Sequence, residues 1–184
     1  MRRSASKIVV ISCILLLCAD FVHAQKTPQD LKRSCLEFTQ TFYNWYVKKV
    51  FETFHSKNAK DPELAALNYE GKPFSHELDQ GLRKVKAEEK SSREAILDFD
   101  PFLNSQDPAK HYEVRKITEK NGHYWADVYG IWSRPVSGLG NGPQVVAELV
   151  FENNRWIFVN FHYPDSTDPR NESLLNMLRY ERSH

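Results

Sequence analysis

Cysteine is scarce in this chain: three residues in 184, two of them, Cys13 and Cys18, near the start. An internal disulfide framework is therefore excluded if the leader is removed, because only Cys35 would remain and stability would have to come from packing. Glycine is also sparse, and three of its seven residues fall in Gly138-Leu139-Gly140-Asn141-Gly142. That cluster joins two strand-like segments without opening a helix, which reads as a hairpin loop and not as a phosphate cradle. An excess of charge of one sign is missing: 25 Lys and Arg stand against 24 Asp and Glu. There is accordingly no electrostatic footprint for nucleic acid and no polybasic patch for a membrane surface. The apolar run Ile8–Cys18 falls well short of the roughly 20 residues a bilayer span needs.

What the first residues do have is the build of a secretory signal. Arg2, Arg3 and Lys7 precede the apolar run, and Val22-His23-Ala24 offers small residues at the two positions a signal peptidase reads. Cleavage between Ala24 and Gln25 would leave one domain, residues 25–184. Its formal charge is −1, because Arg2, Arg3, Lys7 and Asp20 leave with the segment 1–24. A periplasmic or secreted location follows as the expectation. Acylation at Cys18 would instead anchor the chain, but Leu17 is bulky where an acylated cysteine is normally preceded by a small residue.

Thr27-Pro28-Gln29-Asp30 has the form of a helix start, with Thr27 as N-cap, Pro28 at the first helical position and Asp30 closing a capping box. Leu31, Cys35, Phe38, Phe42, Trp45 and Val50 or Phe51 then recur at helical spacing, predicting one long helix to about His55. A short helical piece is expected over Glu63–Tyr69. A further helix is capped by Ser75, with Leu78, Leu82 and Val85 on one face. The mixed charges of Arg83–Arg93 read as a solvated face. From His111 the pattern turns to strands, with hairpin signals at Asn121-Gly122 and Asn153-Asn154, a strand Tyr124–Trp132, a long loop Pro135–Pro143, and strands Gln144–Phe151 and Arg155–Tyr163. Asp168-Pro169 is placed to open a last short helix carrying Leu174, Leu175 and Leu178. The expected class is α+β: N-terminal helices on a curved, cone-like four-stranded antiparallel sheet, then a short C-terminal helix.

The segment Asp98-Phe99-Asp100-Pro101-Phe102-Leu103-Asn104-Ser105-Gln106-Asp107 is unusual. With Phe42-Tyr43-Asn44-Trp45-Tyr46 and Asn154-Arg155-Trp156-Ile157, it resembles a family of exported bacterial proteins carrying a domain of unknown function, some of them envelope lipoproteins. The resemblance spans roughly residues 36 to 180. It implies a cone-like fold of the nuclear-transport-factor-2-like kind and an envelope or secreted location, and brings no reaction with it.

The same segment is the best candidate for a binding loop, through Asp98, Asp100, Asn104, Gln106 and Asp107. Its oxygen-bearing side chains are of the type calcium prefers, but the twelve-residue loop pattern, its glycine and its closing glutamate are missing, so no metal is expected. The plainer reading is structural: Asp98 and Asp107 cap helix ends or tie loop amides, Pro101 fixes a turn, and Phe99 and Phe102 anchor the segment. Tyr43, Trp45, Tyr129 and Tyr163 are candidates for lining a pocket. Within a cone-like cavity, Asp98, Asp100 or Asp127 could serve as a base and Tyr43, Tyr129 or Tyr163 as an oxyanion donor. Other catalytic patterns fail. His76-Glu77 lacks the second histidine of a zinc protease, no Gly-x-Ser-x-Gly elbow exists, and Cys35 reads as a buried small hydrophobe. No cofactor is expected. The composition therefore favours a non-catalytic binding module for an envelope protein or a small apolar ligand. A small cofactor-free isomerase, dehydratase or hydrolase is the alternative.

Overall fold

The long N-terminal helix α1 (Pro28–His55) starts on the expected capping box: Thr27 Oγ1 accepts from the Asp30 amide at 3.1 Å, and the Thr27 amide donates back to Asp30 Oδ2. The computed structural model describes residues 27–56, 58–134, 141–164, 166–167 and 172–181. The expected signal segment, most of the expected Pro135–Pro143 loop and the expected helix start at Asp168-Pro169 lie outside the described residues. Two further helices follow, α2 (Pro62–Leu67) and α3 (His76–Ser92), capped by Asp61 and Ser75. Strands β1 (Tyr112–Lys120), β2 (His123–Gly130), β3 (Val145–Glu152) and β4 (Arg155–His162) form an antiparallel meander in sequence order, and α4 (Leu174–Glu181) closes the described chain. The fold is α+β.

Both hairpin turns use left-handed backbone at the residues the sequence supplies for it: Asn121 and Gly122, then Asn153 and Asn154. Strand β2 stops at Gly130, two residues before the expected end. The Trp132 ring folds back over Gly130 so closely that a Cβ there would meet it at 2.4 Å. The chain therefore leaves the ladder where it has no side chain.

Two bulges, at Arg115 in β1 and Val159 in β4, bend their strands and shift the inward parity. The second lets Phe158 and Phe161, three positions apart, both face the core. The sheet face that meets α1 buries Tyr124, Ala126, Val128, Ala147 and Leu149. Against it α1 presents Cys35, Phe42, Tyr43, Tyr46 and Val50. Ring packing fills the space between: Phe42 to Phe158 at 4.9 Å, Tyr46 to Phe102 at 5.1 Å and Phe102 to Phe161 at 5.0 Å. Burial of these rings is the main stabilising term.

Each outer strand is covered along part of its open edge. On the β1 side, Gln40 of α1 donates to Tyr112 O at 2.9 Å and accepts from the Val114 amide at 2.8 Å. On the β4 side, Phe158 exchanges backbone hydrogen bonds with Pro73 O and the Ser75 amide. Both devices leave fewer open backbone groups for another chain to pair with.

Candidate functional site

Residues 96–108 enter the structure held at both ends. Where α3 ends, Arg93 adopts the left-handed conformation. Glu89, one turn earlier, accepts from the amides of Ile96 and Leu97 at 3.1 Å through Oε1. The chain then turns on Asp100. Its amide donates to Ser105 O, its carbonyl accepts from the Asn104 amide at 2.8 Å, and Oδ1 accepts from the amides of Phe102 and Leu103 at 2.9 and 3.1 Å. Oδ2 takes the remaining donor, the Tyr46 hydroxyl, at 2.8 Å. Asn104 sits at φ 48, a conformation its short amide side chain tolerates, and reaches Gln144 O at 3.1 Å.

Two more tyrosines complete the anchorage. Tyr43 donates to Phe102 O at 2.9 Å and Tyr163 to Pro101 O at 2.8 Å. Phe102 and Leu103 are fully buried, and Phe99 packs edge-on against Tyr163 at 5.5 Å. The aspartate that ties loop amides is thus Asp100, in place of Asp98 and Asp107, both of which are exposed. Asp98, Asp100, Asn104 and Asp107 do not converge, and no metal-holding group of His, Cys, Asp or Glu occurs among the described residues.

On the side of α1 and α2, this loop walls a cleft of about 400 Å³. Asp98, Phe99, Asp100, Ser105 and Gln106 form one wall, while Val50 and Phe54 of α1 and Glu63 of α2 form the other. Phe54 stands at the lip, 64% exposed. Glu63 is only 8% exposed and lies 2.8 Å from Lys86 Nζ, an ion contact outside hydrogen-bond alignment. Lys86, with 13% of its side chain exposed, also contacts Glu89 at 3.0 Å and Asp61 at 3.6 Å. The expected solvated charge run therefore contains a half-buried ionic knot.

Burial sets the protonation chemistry. It pushes the Asp100 carboxyl up to about 6 against the opposing hydrogen bonds from Tyr46, Phe102 and Leu103. It pushes Glu63 up to about 8 in spite of Lys86. Burial opposes the charge on Lys86, but Glu63, Glu89 and Asp61 outweigh it and hold the ammonium above its ordinary range. Burial thus raises both of the carboxyls that line this cleft.

The four aromatic candidates are not brought together. Tyr43 and Tyr163 are buried with their hydroxyls committed to backbone carbonyls. Trp45 is half-buried against Tyr69, and Tyr129 lies on the far sheet face beneath the Arg115 guanidinium at 4.5 Å. Asp127 shares that far face. Of the loop candidates, Asp98, Asp100 and Gln106 line the cleft, while Asn104 and Asp107 are not among its lining residues. Sequence reasoning missed Phe54, Glu63, Lys86 and Glu89. A usable signal was Glu63 placed directly before the apolar Leu64–Leu67 run of a capped helix. Comparison of the chain with family models, with curated proteins and with solved structures gave no significant match.

Proposed function

We propose that the chain is an exported envelope protein, periplasmic or secreted, acting as a non-catalytic binding or protein-interaction module through the cleft beside the Asp98–Asp107 loop. The observation that carries this reading is the contrast between a rigid floor and an open lip. Asp100 and the carbonyls of Pro101 and Phe102 are fixed by three tyrosine hydroxyls, while Phe54 is left exposed at the rim. A preorganised polar floor beside an exposed aromatic anchor suits recognition at low entropic cost. The partner is a protein segment or small molecule with an apolar body and a hydrogen-bonding head. The signal-like start and the resemblance of the Asp-Phe-Asp-Pro-Phe segment support export.

The test is native mass spectrometry of protein purified gently from its producing host, comparing the parent with Phe54→Ala and Gln106→Ala. A companion molecule present on the parent and lost from both variants supports the reading. A companion retained by both variants, or none on the parent, overturns it.

A catalytic reading, as a cofactor-free isomerase, dehydratase or hydrolase, is favoured by one observation: Asp100 and Glu63 both line the cleft with carboxyls lifted toward neutrality. Conversion of the captured companion by the parent, abolished in Glu63→Gln, would select it.

A further inference from the structure

Helix α2 separates two clefts. Glu63 in its first turn lines the one already described, and Leu67 with the capping Asn68 lines another, of about 620 Å³, at its far end. This second cleft gathers charge of one sign: Lys72, Arg83 and Arg155 surround a single carboxylate, Asp79. The chain as a whole is nearly balanced, so the excess is local.

The two guanidiniums are positioned by backbone carbonyls and Lys72 stands on a fixed turn, which separates them from an ordinary solvated fringe. Arg83 grips Asp79 through Nε and Nη2 at 2.9 and 3.0 Å, and Nη2 also donates to Leu67 O at 3.2 Å and Asn68 Oδ1 at 3.4 Å. Its Nη1 has no described partner. Arg155, at the start of β4, donates Nη1 to Gly71 O at 2.9 Å and keeps Nε and Nη2 free among the described residues. Between them, Lys72 is held at φ 46 by the turn in which its amide donates to Tyr69 O at 2.9 Å. A lysine in left-handed backbone is uncommon. Its ammonium has no hydrogen-bond or ion-pair partner among the described residues. His76 also lines the cleft, and Phe74 and Leu67 give it an apolar wall.

We propose that this cleft binds a phosphate monoester group carried on a molecule of sugar- or nucleotide-like size. Charge matching selects the group. Three cations against Asp79 leave two positive charges, which balance a monoester at neutral pH and leave one over for a carboxylate. The free Nε–Nη2 pair of Arg155 matches the spacing of phosphate oxygens, Arg83 adds its Nη1, and Lys72 supplies the point charge. The volume lies within the range of small-ligand pockets. The proposal is independent of the reading of the first cleft. The same headgroup chemistry could arrive on a soluble metabolite or on a phosphatidic-acid-like lipid.

The test is titration calorimetry of the parent, Lys72→Gly and Arg155→Gln at low ionic strength with phenyl phosphate, benzoate and inorganic phosphate. Flotation with phosphatidylcholine vesicles, with and without phosphatidic acid, forms a parallel arm. Glycine accepts φ 46 without strain, so Lys72→Gly is expected to keep its melting temperature and remain interpretable. The expected result is saturable binding of phenyl phosphate, weaker binding of benzoate, and a loss of about tenfold in each variant. Binding confined to phosphatidic-acid vesicles, and lost in the variants, supports the proposal with lipid as the source. No saturable binding in either arm overturns it, as does equal affinity for benzoate and phenyl phosphate or an unchanged affinity in Lys72→Gly.

Discussion

Tyr46 on the first helix donates a 2.8 Å hydrogen bond to Oδ2 of Asp100, 54 positions further along the chain. This contact is the hydrogen bond to the second oxygen of a carboxylate whose first oxygen already holds two backbone amides. Tyr46→Phe leaves that part-buried oxygen without its protein donor, at an expected cost of about 1 kcal/mol. Because the lost bond favours the charged form, the Asp100 carboxyl should move further up from about 6. Asp100→Ala, which abandons all three donors, should cost more than Tyr46→Phe. Urea unfolding at neutral pH measures both, and equal midpoints for parent and Tyr46→Phe would remove the contact from the account.

Glu63 and Asp100 bind protons more tightly in the folded chain, their carboxyls rising from 4.5 to about 8 and from 3.8 to about 6. Their contribution to stability is therefore complete below about pH 4 and is lost as pH rises, first through the Asp100 value and then through that of Glu63. Glu63→Gln removes the upper step. Melting temperatures of parent and variant should lie close together in acid, the variant should gain on the parent between about pH 4.5 and 8, and the gap should stay constant above that. Parallel curves would show that Glu63 does not titrate in this range.

Glu148 behaves in the opposite sense. The His162 hydrogen bond, at 2.8 Å, opposes burial and, with the 2.7 Å contact to His123, holds this carboxyl below 4.5. The resulting stability is present above the unfolded value and is lost as pH falls through the lower folded one. Both histidines are partly exposed, so Glu148→Gln should cost only about 1 kcal/mol at neutral pH after solvent screening. The difference should vanish in acid. A thermal unfolding series across the acid range tests it, and a gap that persists there would point to lost packing instead.

Cys35 is buried on α1, and burial pushes its thiol up to about 12. Native protein should therefore react with an aromatic disulfide reagent only as fast as the helix opens, and denaturant should release rapid labelling. Prompt labelling of the native chain would mean that the first turns of α1 detach from the sheet.

Local chemistry was legible in the sequence. The capping box of Thr27 and Asp30, the Asn121-Gly122 and Asn153-Asn154 turns and the shared face of Tyr124, Ala126 and Val128 each depend on residues close in the chain. Contacts between distant residues were not legible. The anchoring of residues 100–102 relies on hydroxyls from Tyr43, Tyr46 and Tyr163, which helical periodicity or strand alternation reads only as apolar bulk. Lys86 and Glu89 looked solvated because charge alternation cannot show that α2 lays Glu63 and Asp61 over them. The bulge at Val159 inverts the alternation that strand reading assumes. The loop stood out by its residue types, but the carboxylate that organises it was not distinguishable from its neighbours.

The tyrosine anchors also impose an order in time. Their partners stand 54, 59 and 62 positions away, and Tyr163 lies just beyond the end of β4. Closing loops of that length costs chain entropy before any of the bonds can form. The turn at Asp100 therefore cannot reach its final shape as the chain emerges: it waits for the first helix to dock and for the last strand to be laid down. A cut just before Tyr163 would leave all four strands but unlatch the cleft wall, so the recognition proposed for this cleft would need the chain through Tyr163.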